Sequence, residues 1–522
     1  MKMFLTLLLA GIMVLSVTFS GCGSTNDDVS AQKTESIVSS DIKEDAESTL
    51  SSDTAVSSEQ ESSAEVSSAS VSSEKAASSV SGEESTSLPE ARYLDNSADG
   101  EHVILADGES ASYVNCIITK TGDSEGDEAD FYGENSAVFA TNGATLELSD
   151  LQISTIGTHA NAVFSYGEGT TVNISDSVIE TSGNCSGGIM TTGGGTMNAT
   201  GLTVHTTGNS SAPIRSDRGG GTVNVYGGSY TSEGKGSPVI YSTADITVSD
   251  AELTSTSAQG VVVEGKNSVT LNNVTLSAEN VSKNSDNSDW YQAVMIYQSM
   301  SGDAASGIAE FTMNGGSLTN RNGDIFFVNN TVANINLSDA EITNEGGGVF
   351  LRAAAAGWGS EGSNGGHVTM RADAQAIDGD LLVDSVSSLN LYLTNGSVLT
   401  GAINPDGEEG DVYVELEEGS TWTLTGDSYI TSLTCSADAI DLNGYMLYVN
   451  GKAYESGTES AGDAIEVVLS NTGSGEGSAP GGFPGDGGTP PEKPDGAPGD
   501  GGTPPEKPDG APGDGGTPPE KP

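Results

Sequence analysis

The sequence predicts an all-β chain whose body is a parallel β-helix, a solenoid of roughly 22–26 residues per coil. Three observations predict it. Short Val-, Ile- and Thr-rich runs recur between residues 91 and 470, separated by Gly, Asn, Asp and Ser. Eight of these runs align, and each carries Gly, Asn or Asp four places after its first apolar position. Three places further on, all eight carry an apolar residue, which marks a column facing a core.

The aligned runs are TLELSDLQIST (145–155), TVNISDSVIET (171–181), TMNATGLTVHT (196–206), TVNVYGGSYTS (222–232), DITVSDAELTS (245–255) and SVTLNNVTLSA (268–278). EFTMNGGSLTN (310–320) and NINLSDAEITN (334–344) follow a longer insertion. From Leu146 through Val172, Met197, Val223 and Ile246 to Val269, the steps are 26, 25, 26, 23 and 23 residues, one coil each. The turn column is Asp150, Asp176, Gly201, Gly227, Asp250, Asn273, Gly315 and Asp339. The inward column is Ile153, Ile179, Val204, Tyr230, Leu253, Leu276, Leu318 and Ile342, and Thr155, Thr181, Thr206, Ser232 and Ser255 begin a hydroxyl column. A second strand per coil shows in runs such as NAVFSYG (161–167), QGVVVEG (259–265) and DIFFVNN (324–330). Beyond residue 365 the rhythm loosens, and this end is expected to close the stack, because an exposed terminal rung is an open sheet edge.

The ends differ in composition. Residues 1–22 read as an export signal: Lys2, an apolar run from Phe4 to Phe19, then Ser20-Gly21-Cys22. Residues 23–90 form a Ser-rich tether without aromatics, a composition that stays disordered and has a root-mean-square reach of about 45 Å. Residues 471–522 are a Gly/Pro-rich tail in which GDGGTPPEKPDGAP repeats every 14 residues, a period that excludes a collagen helix.

A net charge of −56, from 74 acids against 18 bases, excludes nucleic acid and anionic lipid heads as partners. After Cys22, only Cys116, Cys185 and Cys435 remain, an odd set that makes a poor disulfide framework.

Ser20-Gly21-Cys22 resembles a lipobox, which implies acylation of Cys22 and anchoring of the chain by lipid on the outer face of the cell membrane. The stretch NSSAPIRSDRGGGTVNVYGGSYTSEGKGSPVIYSTADITVSDAELTS, continuing through GVVVEGKNSVTLNN, resembles adhesin-like secreted proteins of clostridia-like bacteria. More broadly the repeat is similar to the pectate-lyase-like superfamily, which implies a right-handed β-helix, and GSTWTLTGDSYITSL (419–433) is similar to autotransporter passenger solenoids. These resemblances imply surface display. They supply no activity.

Candidate site residues are few. Arg215 and Arg218, with Asp217 between them, suit carboxylate ligands such as uronic acids, or an ion pair tying coils together. Lyases of this fold use arginine with carboxylate-bound calcium, but their RxPxxR-like signature is missing here. The loop 122–135 offers Asp123, Glu125, Asp127 and Asp130 as hard oxygen donors for calcium, without an EF-hand pattern. No cofactor is required. Trp290 and Tyr291 in the 283–306 insertion, and Trp358 in a second loop, suit stacking on sugar rings or packing on the flank. His102, His159, His205 and His367 are scattered, and no Ser or Cys stands in a nucleophile-elbow context. The expectation is a surface-displayed binding or adhesion module for glycans or a host surface, not an enzyme; the alternative is a diverged polysaccharide lyase or hydrolase.

Overall fold

The computed structural model describes residues 90–283, 285–407 and 410–467. The expected signal, the lipidation site Cys22, the tether and the tail lie outside the described residues. Among the described residues, no helix is long and apolar enough to cross a membrane.

The described chain is a right-handed parallel β-helix. Each coil runs through three ribbons. One coil is Val163–Tyr166, then Thr171–Ser175, then Val178–Thr181. The next coil stacks on it in parallel register, with Ile189 opposite Val163, Met197 opposite Val172 and Thr203 opposite Val178. A right-handed crossover is the strongly favoured way to link parallel neighbours, because twisted strands pack back onto their own sheet only in that hand. We call the ribbon containing Val163 the flank ribbon and the one containing Val172 the long ribbon. The flank ribbon stacks eleven strands, from Ile104–Asp107 to Leu381–Val383.

The bend between the second and third strands of a coil lies at the predicted turn column. All eight of its residues have positive φ, from 47° at Asp176 to 65° at Gly227. Where the bend residue is Gly201 or Gly227, the strand runs on through it, giving the 12-residue strands Gly195–Thr206 and Gly221–Ser232. The other bends, Gly315 included, divide the coil into two shorter strands, as in Thr145–Ser149 and Gln152–Thr155 or Ile308–Asn314 and Ser317–Asn320.

The inward column is buried as expected, except for Ile342, which is half-buried. Each fully buried aliphatic side chain in it contributes roughly 1.5–3 kcal/mol. Tyr230 takes one of these places, its hydroxyl enclosed without a hydrogen-bond partner, and burial pushes the phenol pKa upward. Phe311, Phe326 and Phe350 pack edge-on and tilted across the core with ring centroids 5.5 and 5.6 Å apart. Trp422 fills a later coil and donates its indole N–H to the Gly401 carbonyl at 2.9 Å.

One corner has a column of its own. Gly157, Gly183, Gly208 and Gly234 stack so closely that a Cβ on each of the last three would strike the carbonyl oxygen of the glycine one coil before. Serines secure the same corner. Ser186 Oγ donates to the Gly157 carbonyl at 2.8 Å, Ser211 Oγ to Gly183 at 3.0 Å and Ser237 Oγ to Gly208 at 2.8 Å. Each hydroxyl also accepts from a backbone N–H of the preceding coil, at 3.0, 3.0 and 2.8 Å. The corner carbonyls are thus satisfied away from water, which a tight bend must achieve by some route.

The last coils close as expected. Leu447–Val449 pairs antiparallel with Lys452–Ala453, and Ser460 bridges Cys435 antiparallel. The chain then returns to Asn390, whose amide both donates to and accepts from the Ile465 backbone at 3.0 and 2.9 Å.

Candidate functional site

The two outward-facing sides of the helix differ. On the long ribbon, inward apolar residues alternate with outward polar ones. Past its first strand the flank ribbon is covered on both faces: Val261–Glu264, Gln292–Tyr297 and Asp324–Asn329 have no exposed residue. Its outward column runs Phe139, Phe164, Met190, Arg215, Tyr241, Val262, Met295, Phe327 and Arg352, each paired with the next. Two apolar caps lie over it. The first joins Phe139, Phe164 and Met190 beneath the 122–135 loop, whose short helix Asp127–Phe131 accepts a hydrogen bond from Thr192 Oγ1 to the Phe131 carbonyl at 2.6 Å. The second joins Val262, Met295, Tyr297, Phe327 and Trp358.

Between the caps the outward column turns polar. Asp217 is fully buried and accepts from Arg215 Nη2 at 3.0 Å and from the Arg218 backbone N–H at 3.1 Å. Burial pushes the Asp217 pKa up, Arg215 pulls it back, and the result is about 6. Arg218 Nε donates to Asp303 Oδ1 at 2.6 Å, its Nη1 to Asp127 Oδ2 at 3.2 Å, and its guanidinium lies 3.6 Å above the Phe131 ring. Glu264, also fully buried, accepts from Tyr241 Oη at 2.5 Å, from Tyr297 Oη at 2.9 Å and from Ser299 Oγ. Burial dominates there as well and pushes Glu264 to about 7, against the pull of those three donors.

Arg215, Asp217 and Arg218 therefore do come together, with a partner that sequence spacing did not suggest, Asp303, and Tyr241, next to Arg215 in the column, joins Tyr297 on Glu264. A signal for the covering was present in the sequence. GVVVEG, QAVMIY and DIFFVNN are continuous rather than alternating apolar runs, the pattern of a strand buried on both faces.

The calcium candidates do not converge on one point. Asp123 is exposed and accepts from the Thr158 N–H at 2.7 Å, Glu125 is exposed, Asp127 turns to Arg218, and Asp130 is buried 2.9 Å from His159 Nδ1. The short helix separates them, directing Asp127 outward and Asp130 inward. The acids, histidines and cysteines that gather among the described residues are Asp130, His159 and Cys185, where the solenoid puts His159 and Cys185 at the same left-handed turn one coil apart. Cys185 is buried there as well. Cys116 and Cys435 are free and buried.

The aromatic candidates pack on the flank. Trp358 is buried, with its ring edge-on to Tyr297 at 5.2 Å, so it is not an exposed stacking platform. Half-buried Trp290 lies 5.5 Å from Phe327 and beneath Arg352, which also bonds Asp324 at 2.6 Å. Tyr291 carries the Lys283 ammonium 4.7 Å above its ring. The other histidines bond separately: His102 to the Ser136 carbonyl, His205 to Glu233 and His367 to Ser388.

The long ribbon carries a different surface. Asn173 Nδ2 donates to Glu147 Oε1 at 2.7 Å, Asn198 Nδ2 to Asn173 Oδ1 at 2.8 Å and Asn224 Nδ2 to Asn198 Oδ1 at 2.9 Å. Beside this amide ladder stands a half-exposed rank of Thr145, Thr171, Thr196 and Thr222 in register. A second ladder links Asn314 to Asn272 at 2.9 Å and Asn272 to Ser249 at 3.3 Å.

No family model matches this chain, and no curated protein matches it. Among solved structures, a chain in the cryo-EM structure of the Vag8-C1 inhibitor complex is similar with 19% sequence identity and a TM-score of 0.34, over 66% of this chain and 95% of that one.

Proposed function

We propose that this protein is a surface-displayed binding module, anchored by lipid at Cys22, that holds an extended extracellular polymer along its long ribbon. The observation that carries this reading is the ladder Glu147–Asn173–Asn198–Asn224 with its threonine rank. Strand stacking repeats these groups every ~4.8 Å. Asn173 and Asn198 each spend one N–H and the oxygen on their neighbours, and Asn224 spends one N–H. The second N–H and the threonine hydroxyls face outward, a linear array suited to the hydroxyls of a glycan. The charge of −56 favours neutral over polyanionic glycans.

The test is a glycan array probed with the full chain and with the triple variant Asn173→Ala/Asn198→Ala/Asn224→Ala. The expected result is retention on neutral polysaccharides that falls at least tenfold in the variant while the thermal transition is kept. Equal retention by both proteins would overturn the assignment to this face.

A second reading, a diverged lyase or hydrolase, draws on Asp217 and Glu264, whose raised carboxyl pKa values suit acid–base catalysis. Their burial opposes it. Release of unsaturated uronates by the full chain, lost in Glu264→Gln, would establish that reading over binding alone.

A further inference from the structure

Arg218 is satisfied by two carboxylates from outside its own strand. Asp127 comes from the short helix and Asp303 from the 283–306 insertion. Asp303 is the more committed of the two, with a side chain 1% exposed against 74% for Asp127. It stands on an arm leaving the flank ribbon after Tyr297 and rejoining the stack at Ile308. The arm's ties are polar: Ser299 to Glu264, Ser299 to Ser301 at 2.7 Å, and the Asp303 N–H to Ser301 Oγ at 3.3 Å. Met300 at its tip is exposed.

Beneath the arm the polar accounts do not balance. Arg215 is buried, and its Nη1 has no hydrogen-bond partner, although Nη2 is held by Asp217. Asp303 Oδ2 is enclosed without a partner as well. A buried donor left unmatched is destabilising, more so on a charged group. Such a vacancy on a guanidinium is what an incoming carboxylate oxygen would fill.

We propose that Asp303 is an internal stand-in for an external carboxylate, and that a ligand bearing one carboxylate on an otherwise neutral body displaces it from Arg218 and engages Arg215 and Arg218 together. The exchange conserves charge around the arginines, so it needs no new counter-ion. A single carboxylate is specified because the −56 chain repels polyanions at a distance. This site lies on the flank ribbon, apart from the long-ribbon face, so either assignment can fail without the other.

The experiment measures binding of galacturonate and of N-acetylneuraminate to the full chain by titration calorimetry, with galactose as the neutral control. Wild type, Asp303→Asn and Arg218→Gln are compared. The expected result is binding of at least one acid, tightened tenfold or more in Asp303→Asn and abolished in Arg218→Gln; which acid binds identifies the source of the carboxylate. Unchanged affinity in Asp303→Asn, binding that survives Arg218→Gln, or no binding of either acid would overturn the proposal. Should the variants fail to fold, hydrogen exchange on wild type decides: the ligand should speed exchange in residues 299–304, and unaltered exchange at saturation counts against displacement.

Discussion

Asp303 Oδ1 accepts from Arg218 Nε at 2.6 Å, a contact closed across 85 residues of sequence. It fastens the insertion to the flank ribbon. Because the Asp303 side chain is enclosed, removing the arginine alone leaves a buried charge uncompensated. Arg218→Ala should therefore cost about 2–3 kcal/mol, and Arg218→Ala/Asp303→Asn should recover a good part of it. Urea unfolding of the four-member cycle measures this; a loss in the double variant equal to the sum of the two single losses would show that the pair is uncoupled.

Glu264 gives the protein a pH dependence of known sign. Its carboxyl is raised from 4.5 to about 7, so the folded state holds a proton that the unfolded chain has already released. Stability should fall as pH rises from 4.5 to 7, by on the order of 3 kcal/mol for this group. Asp217, raised from 3.8 to about 6, slopes the same way over a lower window. Since 74 acids also repel one another increasingly over this range, the informative quantity is the difference between wild type and Glu264→Gln. The variant should lose less in melting temperature between pH 5 and pH 7.5. Parallel profiles would refute the assignment.

Gly183 tests the glycine corner. Its φ is not in the left-handed region, so alanine is excluded there by space alone, the Cβ colliding with the Gly157 carbonyl. Gly183→Ala should destabilise by about 3 kcal/mol or more, as backbone forced apart in a packed stack does. At Gly143, where φ is 78° and nothing lies within 4 Å of an added Cβ, alanine should cost about 1 kcal/mol, through the dihedral alone. Chemical denaturation of both variants gives the comparison.

The anchor has its own test. Labelled palmitate fed to cells expressing the full chain should enter the protein and be lost in Cys22→Ser, with release of the variant to the medium. Label in the variant would refute lipidation at that cysteine.

The solenoid was legible because its rules are local. Asp150, Asp176 and Asn273 reveal the bend by chemistry that one residue carries, and Ile153 or Leu276 reveals the core by spacing. Cationic scarcity likewise drew attention to Arg215 and Arg218. Their partners were not legible, since Asp303 meets Arg218 only through an insertion that folds back over several coils, and no periodicity encodes that return. Trp358 stayed open between sugar stacking and flank packing for the same reason: nothing periodic in its Gly-rich neighbourhood tells that the ring packs on Tyr297. The glycine corner was hidden differently. Gly157, Gly183, Gly208 and Gly234 stand among many other glycines, and only stacking singles them out.

That corner also sets the grammar by which such a chain can grow or shrink. Each coil from Gly157 to Ser237 offers the next a glycine carbonyl and borrows from it a serine hydroxyl. A coil cut so that its Gly and Ser travel together, as Gly183 with Ser186 or Gly208 with Ser211, brings both halves of the joint. Duplication or loss of such a unit leaves every remaining joint complete, and the stack changes length by whole coils without rewriting its neighbours.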